Sequence, residues 1–245
     1  MMKKIILMTV LAVMTTVLCF AQSEFTDTVG EASAKDMGEE PLELAPITIS
    51  DLEDAGFWNA QMAMDQGMVV VRNLPGNPKE KEEKDARRIA EERKIRNDDQ
   101  WLGDYVLGAK ITFFRRGANE IYLKTNKPIP MAGTTKIVRM WVVGRNYNHV
   151  LKVVLADFHG NRIELTVGKL NFSGWRQMSV AVPPSIIQND LHISTKEGLQ
   201  FLGLKIETDM DESYGTYYIY IDDISTETDL YSLKARDEDD MSDGW

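Results

Sequence analysis

From Lys136 to Pro184 apolar residues fall in four short runs separated by turn-forming residues, which predicts four strands. In the third run Ile163, Leu165 and Val167 alternate with Arg162, Glu164 and Thr166, the period of a strand with one face buried and one in water. In the second, Leu151, Val153 and Leu155 share one parity, while Val154 and Ala156 make the other parity apolar as well. That strand is expected to be more central. Asp157, His159, Gly160 and Asn161 supply a tight turn between the two, because Gly and Asn accept positive φ at low cost. Together the four runs predict an antiparallel meander.

The same reading extends to the flanks. Ile47, Thr48 and Ile49 predict an edge strand running into a loop with a Phe57-Trp58 pair, and Val69, Val70 and Val71 predict another strand, closed by Asn73, Pro75, Gly76 and Pro78. Further strands are expected at Tyr105 to Phe114, at Glu120 to Lys124 before Pro128 and Pro130 break the chain, at Leu199 to Glu207 and at Thr216 to Ile224. About ten short strands with regular turns fit a mainly β fold, an antiparallel β-sandwich of jelly-roll type. Galactose-binding and carbohydrate-binding modules share that architecture. The exception is a charged stretch at about 79–97, KEKEEKDARRIAEERKIRN, where strong helix formers dominate and opposite charges recur three or four apart. Ala86, Ile89, Ala90 and Ile95 give this helical insertion only a narrow apolar stripe. It is expected to lie on the domain, either as a solvated insertion or as a helix that binds a partner.

The segment MMKKIILMTVLAVMTTVLCFAQ has two lysines, an apolar run from Ile5 to Phe20 and small residues before a cut after Ala21, and so reads as a cleaved export signal over residues 1–21. Residues 22–45 are expected to be a flexible acidic leader, 46–235 the sandwich and 236–245 an acidic tail, RDEDDMSDGW. The tail is either a solvated end or a docking peptide, since Met241 and Trp245 are residue types that contribute strongly at interfaces. The full chain carries 28 basic and 38 acidic residues, and loss of Lys3 and Lys4 with the signal moves the net charge from −10 to about −12. Such a chain repels phosphate and anionic lipid, which excludes nucleic acid and membrane insertion of the cleaved form from the expected partners. Cys19 is the single cysteine, so the cleaved chain holds no disulfide and no thiol nucleophile.

Candidate chemistry is sparse. His149, His159 and His192 sit in or beside separate turns without metal-ligand or triad spacing, and each is expected at the surface. Asp222 and Asp223 end an aromatic strand; adjacent strand residues point to opposite faces, so the two are not expected to chelate Ca²⁺ as a pair. One acid is expected to bond a neighbouring loop. Tyr217, Tyr218 and Tyr220, with Trp141 and Trp175, either fill the core or form a platform for sugar rings. No catalytic, cofactor or metal residues are identified, and the chain is read as a non-enzyme; a periplasmic hydrolase would need a cleft with paired carboxylates.

Several motifs carry a resemblance. They are Trp141-Val142-Val143-Gly144-Arg145-Asn146-Tyr147-Asn148-His149, the Asp157 to Gly160 turn, Leu170-Asn171-Phe172-Ser173-Gly174-Trp175 and Tyr220-Ile221-Asp222-Asp223-Ile224. With Asn73-Leu74-Pro75-Gly76-Asn77-Pro78 and the Asp-Met-Ser-Asp-Gly-Trp ending, they resemble the spirochaetal flagellar filament outer-layer family, the FlaA sheath proteins, from about Ile47 to Trp245. The resemblance implies export to the periplasm and a structural role coating the core flagellin filament, with an influence on curvature, stiffness and motility. The implied partners are core flagellin and other sheath and filament-coiling proteins, FlaA paralogues included. Expected contact elements are the Gly144 to His149 loop (Arg145, Asn146, Tyr147, His149), the charged helix (Arg87, Arg88) and the tail (Met241, Trp245). The alternative is an exported carbohydrate-binding module.

Overall fold

The computed structural model describes residues 44–188 and 198–230. These form eleven strands in two antiparallel sheets with a helical arm, a β-sandwich of jelly-roll type. One sheet runs β3 (Gly67–Pro75), β4 (Tyr105–Phe113), β11 (Thr216–Asp229), β6 (Thr134–Val143) and β9 (Trp175–Ala181), with β1 (Ala45–Ser50) also paired to β11. The other runs β2 (Trp58–Met62), β5 (Glu120–Pro130), β10 (Gln200–Glu207), β7 (Val150–Ala156) and β8 (Arg162–Lys169). Between Leu74 and Tyr105 lie α1 (Lys81–Lys84) and α2 (Ala86–Arg96).

Alternation builds the core. Leu107, Ala109, Ile111 and Phe113 on β4 and Tyr217, Ile219 and Ile221 on β11 turn inward against Ile121 and Leu123 on β5 and Leu151, Val153 and Leu155 on β7. Each large apolar side chain removed from water this way contributes about 1.5–3 kcal/mol. β7 lies between β10 and β8, as its two apolar faces predict.

The predicted meander is corrected. Only β7 and β8 form a hairpin; β6 and β9 pair with each other in the opposite sheet, so the chain crosses the sandwich between β6 and β7 and again between β8 and β9. Pro128 and Pro130 do not end their strand either, because the β2 pairing stops at Thr125 and β5 then has only β10 beside it. A missing amide on the unpaired edge costs no ladder bond there.

The outer faces of the sheets differ in kind. On the β10 sheet Lys205 Nζ lies 2.8, 3.1 and 3.0 Å from Glu120, Glu164 and Glu207, and Lys152 pairs with Glu207 at 2.6 Å. Despite partial burial, the three carboxylates raise the lysine's pKa. The two central lysines of this face are thus paired within it. On the β4–β11 face Lys110 lies over the Tyr218 ring instead.

Candidate functional site

β11 changes partner halfway along its length. Thr216 to Ile221 pair with β4 and Ile224 to Thr228 pair with β1, so Asp222 and Asp223 fall at the junction. Opposite β6 the register slips between Asp222 and Ser225, and Asp223 has φ 45°, a left-handed conformation that Asp tolerates better than most residues. The bulge breaks the alternation that would have sent the two side chains to opposite faces. Both carboxylates instead reach Lys81, whose Nζ lies 2.9 Å from Asp222 Oδ2 and 2.6 Å from Asp223 Oδ2. The pair therefore sits inside a continuing strand, which corrects the expectation of opposed side chains at a strand end.

Three residues of the helical arm meet this junction. Arg88 grips Asp223 with its two terminal guanidinium nitrogens, at 2.6 and 3.4 Å, and donates to Thr48 Oγ1 on β1 at 3.3 Å. Asp85 accepts from Trp141 Nε1 on β6 and from Gln177 Nε2 on β9, both at 2.7 Å. Lys81, Asp85 and Arg88 are spaced four and three apart, which puts them on one helical face. The arm thus ties β1, β6, β9 and β11 together through buried charge. Ile89 is buried, whereas Ile95 is 79% exposed and Ala86 and Ala90 are exposed, so the narrow apolar stripe is not what seats the helix.

Burial, and next the Asp223 carboxylate beside it, push the Asp222 carboxyl up to about 7, with Lys81 offsetting only part of this. A carboxyl whose folded pKa lies above its ordinary 3.8 binds its proton more tightly folded than unfolded. Stability from this group therefore falls as pH rises from about 4 to about 7. Asp222→Asn, which cannot ionise, is expected to gain on the wild type by about 1–3 kcal/mol between pH 5 and pH 8. Chemical denaturation of both proteins at the two pH values checks this; parallel pH profiles would remove Asp222 as the cause. His149 titrates in both proteins and cancels in the comparison.

The Gly144 to His149 loop is held tightly. A Cβ on Gly144 would meet Leu170 O at 2.4 Å, so only glycine fits this close approach. Asn146 N–H donates to Phe172 O at 2.8 Å, and Asn148 bonds Glu212 through its backbone and side-chain nitrogens. Arg145 and Asn146 stand exposed at the tip. His149 does not. It is fully buried against Tyr147, Tyr217 and Phe113, and its Nδ1 accepts from Asp209 N–H at 3.1 Å. Burial pushes its pKa down, so the ring is neutral near pH 7.

Of the predicted contact residues, Arg145, Asn146, Arg87 and the half-buried Tyr147 reach the surface. Arg88 and His149 are corrected: one is locked to Asp223 and the other enclosed by aromatic rings, so neither presents a side chain to a partner. His159 is exposed, whereas His192, Met241 and Trp245 lie outside the described residues. The aromatic set divides. Trp141 and Tyr217 are buried, Trp175 and Tyr220 are half-buried, and Tyr218 is exposed.

One surface escaped the sequence reading. Met68, Val70, Arg72 and Leu74 point outward from edge strand β3 and share a shallow depression of about 410 Å³ with Lys110 and Tyr218. Arg145 joins its far side, 5.1 Å above the Tyr220 ring. The available signal was the run from Met68 to Val71, apolar at both parities on a strand with a single neighbour.

A family model described as flagellar filament outer layer protein FlaA matches residues 43–237. A flagellar filament outer layer-like protein of Brachyspira hyodysenteriae is 32% identical over 197 residues, covering 80% of this chain and 85% of that relative. The flagellar filament outer layer protein of Spirochaeta aurantia is 30% identical over 100 residues, 38% of this chain and 30% of that relative. Among solved structures, a carbohydrate-binding module of the β-sandwich superfamily aligns with TM-score 0.45 at 12% identity, over 73% of this chain and 59% of its own. A family 11 carbohydrate-binding module of Clostridium thermocellum aligns with TM-score 0.40 at 9% identity, over 76% and 95%. With its family model matched from the first strand to beyond the last, this chain belongs to the flagellar filament outer layer proteins, the FlaA family.

Proposed function

We propose that the chain is a structural subunit exported to the periplasm, where it coats the core flagellin filament of the periplasmic flagellum and biases its curvature and stiffness. Other sheath and filament-coiling proteins, FlaA paralogues among them, share the coat. The family match over residues 43–237 carries this reading. The unequal outer faces support it, since a subunit that repeats along a filament makes heterologous contacts through two different surfaces.

The test is co-sedimentation of residues 22–245 with purified core flagellin filaments, followed by measurement of filament curvature. Saturable pelleting and a changed curvature are expected. No pelleting, with or without the other sheath proteins, would overturn the reading; saturable affinity for an oligosaccharide would then replace it with a carbohydrate-binding role for the Tyr218 and Tyr220 face.

A further inference from the structure

The depression on β3, β4 and β11 carries a charge pattern opposite to that of the chain. The protein has 38 acidic and 28 basic residues, yet this face is lined by Arg72, Lys110 and Arg145, and no carboxylate lines it among the described residues. None of the three cations is ion-paired among the described residues, whereas Lys152 and Lys205 on the opposite sheet face are. Lys110 and Arg145 instead lie over Tyr218 and Tyr220, at 5.9 and 5.1 Å. Beside Lys110, on edge strand β3, Met68 is 53% and Val70 40% exposed. Such a face fits a ligand that brings carboxylates and large apolar groups together.

We propose that it receives residues 236–245 of a second copy of this chain. That segment, RDEDDMSDGW, offers Asp237, Glu238, Asp239 and Asp240 to the cations, and Met241 and Trp245 to the apolar floor. The chain's own tail does not fit as well. β11 leads away from the depression, and Leu230 stands twelve residues beyond Tyr218, about 40 Å at strand rise. Fully extended from Leu230, the chain spans about 35 Å to Asp240, so of the four acids only this last one comes level with Tyr220, about 33 Å back along β11, and Asp237, Glu238 and Asp239 fall short of the depression. The helical arm also lies over β11 at Asp222 and Asp223, across the direct path back. A neighbour has no such restriction, and a coat of repeated subunits, the arrangement on which this inference rests, puts another copy's tail within reach.

Unlabelled and ¹⁵N-labelled chains are mixed in equal amounts, assembled on core flagellin filaments, and treated with a carbodiimide that joins a lysine amine to a touching carboxylate. A parallel sample contains the concentrated free chains alone. The expected product joins Lys110 to a carboxylate among residues 237–240 with one light and one heavy partner. Lys110→Arg should abolish it, and Tyr218→Ala or Trp245→Ala should lower its yield about tenfold. Products of a single isotope only would show a tail folded on its own domain, and Lys110 joined to flagellin would show a filament contact; either overturns the proposal, as does the absence of mixed products from both samples. Mixed products in solution from a chain that does not pellet would keep the tail contact and sink the outer-layer role. Pelleting without mixed products would do the reverse.

Discussion

Asp223→Ala is expected to destabilise the domain by about 3–5 kcal/mol, because it strands Arg88, a cation only 3% exposed, without its bidentate acceptor. The remaining carboxylates are poor substitutes. Asp85 lies 3.7 Å from the guanidinium and is already committed to Trp141 and Gln177. Asp222 gains Lys81 for itself but is not bonded to Arg88. Ile89 contributes about 1.5–3 kcal/mol by burial, and an isolated helix of eleven residues is marginal in water. Docking of the arm therefore depends on the ion pairs. Urea denaturation of Asp223→Ala, Arg88→Ala and the double variant measures the coupling directly. The double variant should cost less than the two singles combined, by at least about 1 kcal/mol, since a missing partner can be lost only once. Strict additivity would mean that the two residues act separately.

Hydrogen exchange separates two routes to that loss. If α2 amides lose protection in Asp223→Ala while those of β7 and β10 keep theirs, the arm has let go of an intact sandwich. If all three fall together, the bulge on β11 is itself part of the sandwich's cooperative unit.

How far the sequence could be read depended on what kind of relation was sought. Inward and outward positions within a strand follow from alternation, so Ile163 and Leu165 on β8 and Leu151, Val153 and Leu155 on β7 were legible, and the turn at Asp157 to Asn161 paired those strands correctly. Alternation does not say which sheet an inward side chain belongs to. The crossings between β6 and β7 and between β8 and β9 were therefore invisible, and the predicted meander failed there. The arm exposed a second limit. A stripe search looks for apolar residues, whereas here Lys81, Asp85 and Arg88 form the buried face and Ala86 and Ala90 remain exposed. Buried charge reads as surface until its partners are known. The partners, Asp222 and Asp223, were misplaced because parity assumes an unbroken strand, and a single left-handed residue reversed it.

Phe201→Ala is expected to cost about 3–5 kcal/mol, the other large effect, and for a reason unrelated to charge. The ring is fully buried and meets Trp58 edge to face, with centroids 6.2 Å apart. Its strand lies between β5 and β7, and both pairings slip beside it, between Phe201 and Gly203. At Gly203 the backbone already touches its neighbour: a Cβ there would stand 2.2 Å from Leu123 O. β10 thus has no freedom to sink into the vacated space, which favours the upper end of the range. Beyond Cys19 the chain has no cysteine, so no disulfide limits the unfolded state of the sandwich. A domain with about 5–15 kcal/mol in hand loses a large share of it, and at about 2 kcal/mol/M the urea midpoint falls by about 2 M. Assembly opposes this loss, because a partner that binds only the folded form, present at a hundred times its Kd, restores about 2.7 kcal/mol. The variant should therefore be easily proteolysed when free and markedly protected on core filaments. Equal susceptibility in both states would mean that the chain does not need its folded sandwich to bind, and would count against a coat built from the faces of that sandwich.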